Sequence, residues 1–367
     1  MRKILLGTSA LAAVALTAGA ASAEAPTVTF DGAVTYEYIF YDNDNRTHAT
    51  GKVDGSGHAI TANEQQSELH WTAKGTADNG LEYTGRLDWR VLSGGTGAID
   101  ESWIKLGGGW GDLVIGADDG AEGNMPDALS IAGDIWMTDC NNLARHINNL
   151  DLSTSLYYFT PTGGTSDNNK VAYYTPDFNG FSFAASFTPS SKTAFQEAPE
   201  TGGNNNVGEI SAKYAGDFGG VGLTLAGSYI AGSADTDANE DIRSYHLGGL
   251  LSVGDFGFGL GYIDSDDSGT VKANTNDEGL SGYNAAVSYD LGSLYLNAYY
   301  QHTESRTGGN TNDNEFDLVG VAATYTIADG LKTYASFTNS ELDSGAGTGS
   351  AFENEANVLI IGTSVSF

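Results

Sequence analysis

Large apolar side chains and polar side chains alternate along much of the chain. Segments 28–40, 69–74 and 81–91 each place apolar and aromatic groups on one parity and polar or charged groups on the other. A repeat of two residues is that of a β-strand whose two faces meet different surroundings. The pattern predicts an all-β, antiparallel fold. It fits a soluble sandwich with an internal core, and it also fits a barrel whose apolar face meets lipid.

The lengths of the connections distinguish these two folds, because short turns alternate with long polar stretches. The turns lie at 77–80, 216–220, 254–256, 291–293 and 328–330, and the long stretches at 42–64, 189–207, 233–241, 265–279, 304–314 and 342–354. Short turns at one end and long loops at the other are typical of transmembrane β-barrels in outer membranes. A soluble sandwich has no reason to separate loop lengths in this way.

Pairing each short turn with its flanking segments predicts about 16 strands, an even number as in bacterial barrels. Their predicted starts are near Val28, Gln65, Leu81, Ile99, Leu113, Lys170, Phe181, Gly208, Gly222, Ile242, Gly257, Gly282, Ser293, Glu315, Leu331 and Glu355. The stretch 152–160 would add one more strand if it were extended. A barrel of roughly 16–18 strands encloses water, whereas one of about 8 strands is filled by side chains.

The two ends of the sequence point to export and to barrel closure. Residues 1–23 have the features of a signal peptide: Arg2 and Lys3, an apolar stretch over 4–21, and the small-x-small pattern of 21–23. The alternative, a first transmembrane helix, fits an alanine-rich stretch with a cleavage pattern less well. We therefore expect one barrel domain over 24–367. Its last strand, ending on Phe367 with one apolar face, should pair with the first.

Composition excludes several classes of function. A net charge of −31 repels nucleic-acid phosphates. Beyond residue 23, no apolar run approaches the roughly 20 residues of a spanning helix. The lone Cys140 cannot form an intramolecular disulfide, and we expect its thiol to be inert. The 6 histidines are scattered, and no Gly-x-Ser-x-Gly, His-Glu-x-x-His, phosphate-loop or haem motif occurs, so we expect neither an enzyme nor a cofactor.

Short motifs give the chain a family resemblance over its length after residue 23. They are Gly-Asp-Leu-Val-Ile-Gly at 111–116, Tyr-Tyr-Thr-Pro-Asp-Phe-Asn-Gly-Phe-Ser-Phe at 173–183, and the final Phe367. With these motifs the chain resembles the Gram-negative general porins, alphaproteobacterial type. The resemblance implies a homotrimer in the outer membrane, inserted by the barrel-assembly machinery. It also implies 16-stranded barrels, each with a long third loop folded into the lumen.

The segment 117–169 is the candidate for that constriction loop. It departs from the family pattern at Ala117, where a basic residue is common. Its candidate acids are Asp118, Asp119, Glu122, Asp127 and Asp134, with Trp136 and Met137 as possible anchors. Long loops in compact domains are usually functional, and a loop that lines a pore is an example.

Basic side chains fall on the parity predicted to face the lumen. They are Lys74, Arg86, Arg90 and Lys105. Opposed to the loop acids, they would create a transverse field that favours small hydrophilic solutes in passive diffusion. The alternative is local pairing within the wall, as between Arg86 and Asp88. The acids Glu37, Glu68, Glu82 and Asp88 share this parity, so we expect weak cation selectivity.

Other interpretations remain open at this point. A substrate-selective channel for sugars, carboxylates or peptides would use Trp103, Trp110 and Trp136, although such residues more often mark membrane interfaces. Calcium is possible at two oxygen-ligand clusters that lack a full EF-hand pattern, Asp42 with Asp44 and Asp264 with Asp266. Divalent bridging to lipopolysaccharide would involve such loops. Solvated acidic loops are the simpler interpretation of both.

Overall fold

A computed structural model gives the structure of the chain. It describes residues 25–44, 55–63, 66–90, 98–125, 156–157, 159–191, 203–306, 312–343, 345 and 353–367. The predicted signal peptide lies outside the described residues, as do Asp127, Asp134, Trp136, Met137 and Cys140. Among the described residues, no helix has both the length and the apolar character needed to cross a membrane.

Seventeen strands and one short helix form the described structure. The strands are β1 Thr27–Asp44, β2 Gly55–Ala62, β3 Glu68–Thr76, β4 Glu82–Arg90, β5 Ala98–Gly108, β6 Gly111–Ala117, β7 Asn169–Tyr174, β8 Phe181–Ser190, β9 Asn205–Asp217, β10 Val221–Ser233, β11 Ile242–Val253, β12 Phe256–Asp264, β13 Glu278–Asp290, β14 Leu294–Arg306, β15 Asn314–Ala328, β16 Leu331–Asp343 and β17 Asn354–Ser366. The helix α1 is Ala121–Asn124.

The strands form one antiparallel sheet that closes on itself. Strand β17 pairs with β1, and Phe367 exchanges two backbone hydrogen bonds of 3.0 Å with Gly32. Strands β2 and β3 both pair with β1 over successive parts of its length, so together they occupy one position in the barrel. The barrel thus has 16 strand positions, as predicted.

One predicted connection is wrong, because the stretch 42–64 contains β2. Its sequence, Gly-Ser-Gly-His-Ala-Ile-Thr-Ala, is small and polar and therefore resembles a loop. Pairing with β1 orders it, and Gly57 lies directly opposite Tyr41, whose ring leaves no room for a side chain there. The described residues 156, 157, 159 and 160 are not in a strand, so the structure gives no support for an extra strand there.

The alternation in the sequence matches the two surfaces of the barrel. On β12, for example, Phe258, Leu260 and Tyr262 project outward, and Leu260 is 67% exposed. Large apolar side chains are exposed in the same way on strands all around the barrel. Burying such a band in hydrocarbon is favourable, so this surface is the one that meets lipid. The other parity faces the interior.

Several tyrosine rings lie against glycines on the adjacent strand. Tyr334 is directly opposite Gly362, and Tyr299 is directly opposite Gly320. At each glycine, an added Cβ would overlap the tyrosine ring. These pairs therefore bury aromatic surface in the space that a missing side chain leaves.

The interior contains an apolar cluster on one side. Leu156, Tyr157 and Phe159 pack against inward side chains of β1 and β12–β17, including Phe316 and Ile360. The Gln301 amide donates to the Leu156 and Tyr157 carbonyls at 3.1 and 2.9 Å. This part of the segment 117–169 is therefore attached to the inner wall formed by β1 and β12–β17.

Candidate pore constriction

Two arginines on β4 are paired with acids of the same wall. Arg86 Nε lies 2.8 Å from Asp88. Arg90 Nε lies 2.9 Å from Glu68 Oε1, and its Nη2 lies 2.8 Å from Asp100 Oδ2. Both arginines have the predicted inward parity, but the structure matches the alternative of local pairing within the wall.

A β-bulge explains how Asp100 reaches Arg90. The register between β4 and β5 shifts between Leu87 and Trp89. A bulge places an extra residue in one strand and redirects the side chains beside it. Asp100 therefore reaches the same wall face as Glu101, the next residue, whose carboxylate accepts a 3.1 Å hydrogen bond from Trp103 Nε1.

Lys74 and Lys105 lie one inward position closer to the short-turn end than Arg86. Both are directly opposite Thr84 in the strand register. Lys105 Nζ is 3.0 Å from Asp112 Oδ2. Lys74 lines a cavity of about 550 Å³ together with Asp78 and Glu82. The four predicted basic residues thus share one stretch of wall on β3–β5 but are not at one level.

The two acids that begin the loop are in different settings. The Asp118 carboxylate accepts hydrogen bonds from Asp119 N at 2.9 Å and Asn124 Nδ2 at 3.2 Å. Burial raises the pKa of Asp118. Burial, followed by repulsion from Asp167, raises the pKa of Asp119 to about 7. Asp119 therefore titrates close to neutral pH.

Glu122 is directed away from the arginines. Its Oε1 lies 3.0 Å from Nδ1 of His246 on β11, and its backbone N–H donates to Glu209 on β9 at 2.9 Å. These contacts place Glu122 against β9 and β11, on a different part of the wall from the basic cluster on β3–β5. Its role at a constriction stays a prediction, as do those of Asp127 and Asp134.

The sequence interpretation missed Lys170, Glu209 and Thr165. Buried Lys170 donates to the Asp118 carbonyl and, at 2.8 Å, to the Ser166 carbonyl. Glu209 is buried on the inward face of β9 between Val207 and Ser211. The available signal for Glu209 was a charged residue directly between an apolar and a small inward neighbour, Val207 and Ser211. Thr165 gave no comparable signal.

Calcium binding at the two predicted clusters stays a prediction, and the structure gives the contacts of their carboxylates. Asp264 Oδ2 accepts hydrogen bonds from the Tyr245 and Tyr262 hydroxyls at 3.0 Å each, and Oδ1 accepts from Asp266 N at 2.8 Å. Asp42 and Asp44 are exposed on β1. The structure groups other carboxylates instead, with Glu304, Asp313 and Glu315 offering oxygens within 4.8 Å of one another.

Of the predicted tryptophans in the described residues, one faces the interior. Trp103 is directly opposite Arg86 on the inner wall. Trp110 is exposed and stacks on Tyr173 at 6.1 Å between ring centroids, with an interplanar angle of 5°. Such exposed pairs near a strand end are typical of an interface girdle.

Comparison with known proteins agrees with this architecture. A family model for Gram-negative porins matches residues 10–345. Porin-like protein L of Photobacterium profundum is 25% identical over 264 residues, which are 70% of this chain and 68% of that protein. Outer membrane protein U of Vibrio parahaemolyticus is 28% identical over 246 residues, which are 66% of this chain and 61% of that protein.

Solved structures share the fold at low sequence identity. OmpF of Salmonella typhi, in complex with daunomycin, has a TM-score of 0.64 at 12% identity, over 94% of this chain and 98% of that chain. The anion-selective porin from Comamonas acidovorans has a TM-score of 0.61 at 15% identity, over 93% of this chain and 100% of that chain. Because the family model spans most of a chain that forms this closed barrel, the protein belongs to the Gram-negative porin family and is an outer-membrane channel for small solutes.

Proposed function

We propose that the channel is a passive diffusion pore for ions and small hydrophilic solutes with a weak preference for cations. The observation that carries this proposal is the charge balance of the inner wall. On β3–β6, the inward carboxylates outnumber the four basic side chains Lys74, Arg86, Arg90 and Lys105; these carboxylates are Glu68, Glu82, Asp88, Asp100, Glu101 and Asp112. Excess negative charge in an aqueous channel raises the local concentration of cations.

The preference for cations is weak because the wall is solvated. Two charges about 4 Å apart in water interact by only about 1 kcal/mol. The segment 117–169 narrows the channel in this proposal, since its described ends lie against the inner wall at Glu122 and Thr165. The loop acids Asp118 and Asp119 add to the negative charge at pH values above their raised pKa.

A homotrimer is part of the same proposal. OmpT of Vibrio cholerae, which has a TM-score of 0.61 at 16% identity and is described in a trimer form, supports it through the shared fold. Contacts with lipopolysaccharide and insertion by the barrel-assembly machinery are expected from the family and the exposed apolar belt. The family and fold favour a channel over an enzyme.

Planar-bilayer recording of the purified protein tests the proposal. Large, steady steps, grouped in threes, with a cation-leaning reversal potential under a salt gradient are the expected result. An anion-leaning reversal potential would contradict the charge argument, and absent conductance would contradict the open pore. Saturable block of the current by one solute class would favour a substrate-selective channel, in which the inward Trp103 would contact the solute.

A further inference from the structure

Both described ends of the segment 117–169 converge on a single carboxylate. Glu209 on β9 is only 2% exposed. Its Oε2 accepts a 2.9 Å hydrogen bond from the backbone N–H of Glu122. Its Oε1 accepts from Thr165 twice, at 3.1 Å from the backbone N–H and at 2.5 Å from the hydroxyl. One side chain of the wall therefore holds residues that are 43 positions apart in the loop.

These hydrogen bonds are strong because a buried carboxylate has few alternatives. Taking a charge out of water is costly unless donors compensate it. Glu209 has donors from both ends of the loop, so detaching either end would leave its charge partly uncompensated. Each end therefore stabilises the attachment of the other. Thr188 on β8 supports the arrangement by donating to the Thr165 hydroxyl at 3.0 Å.

Gly120 permits the close approach of the loop to this carboxylate. Its φ of −76° is accessible to any residue, so conformational freedom is not the reason for glycine here. A Cβ at this position would overlap the Glu209 carboxylate. The next residue, Ala121, is also held by β9. Its carbonyl accepts a 2.6 Å hydrogen bond from the Ser211 hydroxyl.

We propose that Glu209 is the positioning residue that fixes both ends of the loop to the wall and thereby sets the open width of the channel. The proposal rests on the proposed pore function and deepens it. Glu209 makes no contribution through its side chain to strand pairing, because the ladders of β9 with β8 and β10 use backbone groups. Its loss should therefore release Glu122 and Thr165 from the wall, while the barrel stays closed and Leu156 and Tyr157 stay attached to Gln301.

The variants Glu209→Ala and Glu209→Gln separate the attachment of Glu122 from that of Thr165. Alanine removes both attachments because it has no side-chain oxygen. Glutamine has one carbonyl oxygen, so it can accept from one of the two backbone amides but not from both. Asp255→Ala is the matched control, since it removes an exposed carboxylate in the short turn between β11 and β12, away from the lumen wall. Gly120→Ala displaces the carboxylate from the loop side, and Gly85→Ala, where a Cβ has open space, is its control.

The attachment of Glu122 and Thr165 to Glu209, called the tether from here on, is measured directly by hydrogen exchange at these two backbone amides. Glu209→Ala should raise exchange at both amides by about tenfold or more, as expected for the loss of a charge-assisted hydrogen bond. Glu209→Gln should raise the exchange rate at one of the two amides. Neither control variant should change it. Unchanged exchange in Glu209→Ala would overturn the tether, whether or not the protein conducts.

Single-channel recording then tests whether the tether sets the width. Glu209→Ala and Gly120→Ala should raise the mean conductance and add rapid current fluctuations relative to their controls. Raised exchange with unchanged conductance and noise would overturn the claim about channel width. Should Glu209→Ala fail to fold, Gly120→Ala carries both measurements. A wild-type protein without conductance would refute the pore proposal. Hydrogen exchange at the two amides would still show whether Glu209 holds the loop residues.

Discussion

Neutralising Arg90 isolates the electrostatic contribution of the channel wall. In Arg90→Gln, Glu68 and Asp100 lose the guanidinium that lies 2.8–2.9 Å from their oxygens. The wall then gains one net negative charge. A cation passing about 4 Å from that charge is stabilised by about 1 kcal/mol in water. Screening at 0.1 M salt, with a Debye length of about 10 Å, reduces this to about 0.7 kcal/mol.

That energy corresponds to about a threefold rise in local cation concentration at 0.1 M salt. At 1 M salt, where the Debye length is about 3 Å, the same charge gives less than about a twofold rise. The assay is the reversal potential under a salt gradient at pH 8, recorded at both ionic strengths. We expect a shift towards cation selectivity at low salt that largely disappears at high salt.

Arg243→Gln is the matched control for this experiment. Arg243 is exposed on the outward parity of β11, next to buried Ser244, so its loss changes the net charge equally without changing the inner wall. Equal shifts for the two variants would refute the placement of Arg90 in the conducting path. So would an unchanged reversal potential for Arg90→Gln at low salt.

Three further predictions concern the membrane face, pH and strand packing. Leu260→Arg places a charge on the exposed outer face midway along β12 and should lower the free energy of unfolding from lipid vesicles by about 2–4 kcal/mol, measured by denaturant titration. Because Asp119 has a pKa raised to about 7, lowering the pH from 8 to 6 should protonate it and reduce cation selectivity, and Asp119→Asn should remove that pH dependence. Gly362→Ala should cost about 1–3 kcal/mol, because its Cβ would overlap the Tyr334 ring.

Each of these has a result that contradicts it. Val253→Arg, at the turn end of β11, should cost less than about 1 kcal/mol, and an equal cost to Leu260→Arg would argue against the assigned depth. Selectivity that is flat between pH 8 and 6 would exclude titration of Asp119 in the conducting path. The raised pKa also affects stability. Between about pH 4 and about pH 7 the folded chain keeps the Asp119 proton that the unfolded chain loses, so the contribution of Asp119 to the free energy of unfolding falls as the pH rises. Gly85→Ala, where an added Cβ has open space, is the control for Gly362→Ala, and equal costs for the two variants would contradict the overlap with Tyr334.

The strands could be predicted because local rules determine them. Alternation and short glycine turns located all 16 barrel strands to within a few residues. Strand β2 was missed because pairing with β1, and not its own composition, orders it. Parity placed Arg86 and Arg90 on the inner wall. Their partners could not be predicted, since Asp100 reaches Arg90 through a bulge that leaves no distinct pattern in the sequence.

Contacts distant in sequence account for what was missed around the loop. Glu209 binds Glu122 and Thr165 from a strand 44 or more residues away, and no periodicity links such positions. The direction of Glu122 towards His246 depends on the same attachment. The sequence pattern identified the acids at the start of the loop. Which wall residue each of them contacts depends on the folded barrel.

The tyrosine–glycine pairs have a consequence for how the barrel finds its register during assembly. A slip of one residue between strands exchanges the lipid and water faces, so hydrophobicity alone opposes it. A slip of two residues preserves the faces and is not opposed in that way. It would, however, move Tyr334 from Gly362 to Ile360 or Ser364, where the ring would meet a Cβ. The glycines thus mark the correct pairing among alternatives that the alternating pattern cannot distinguish.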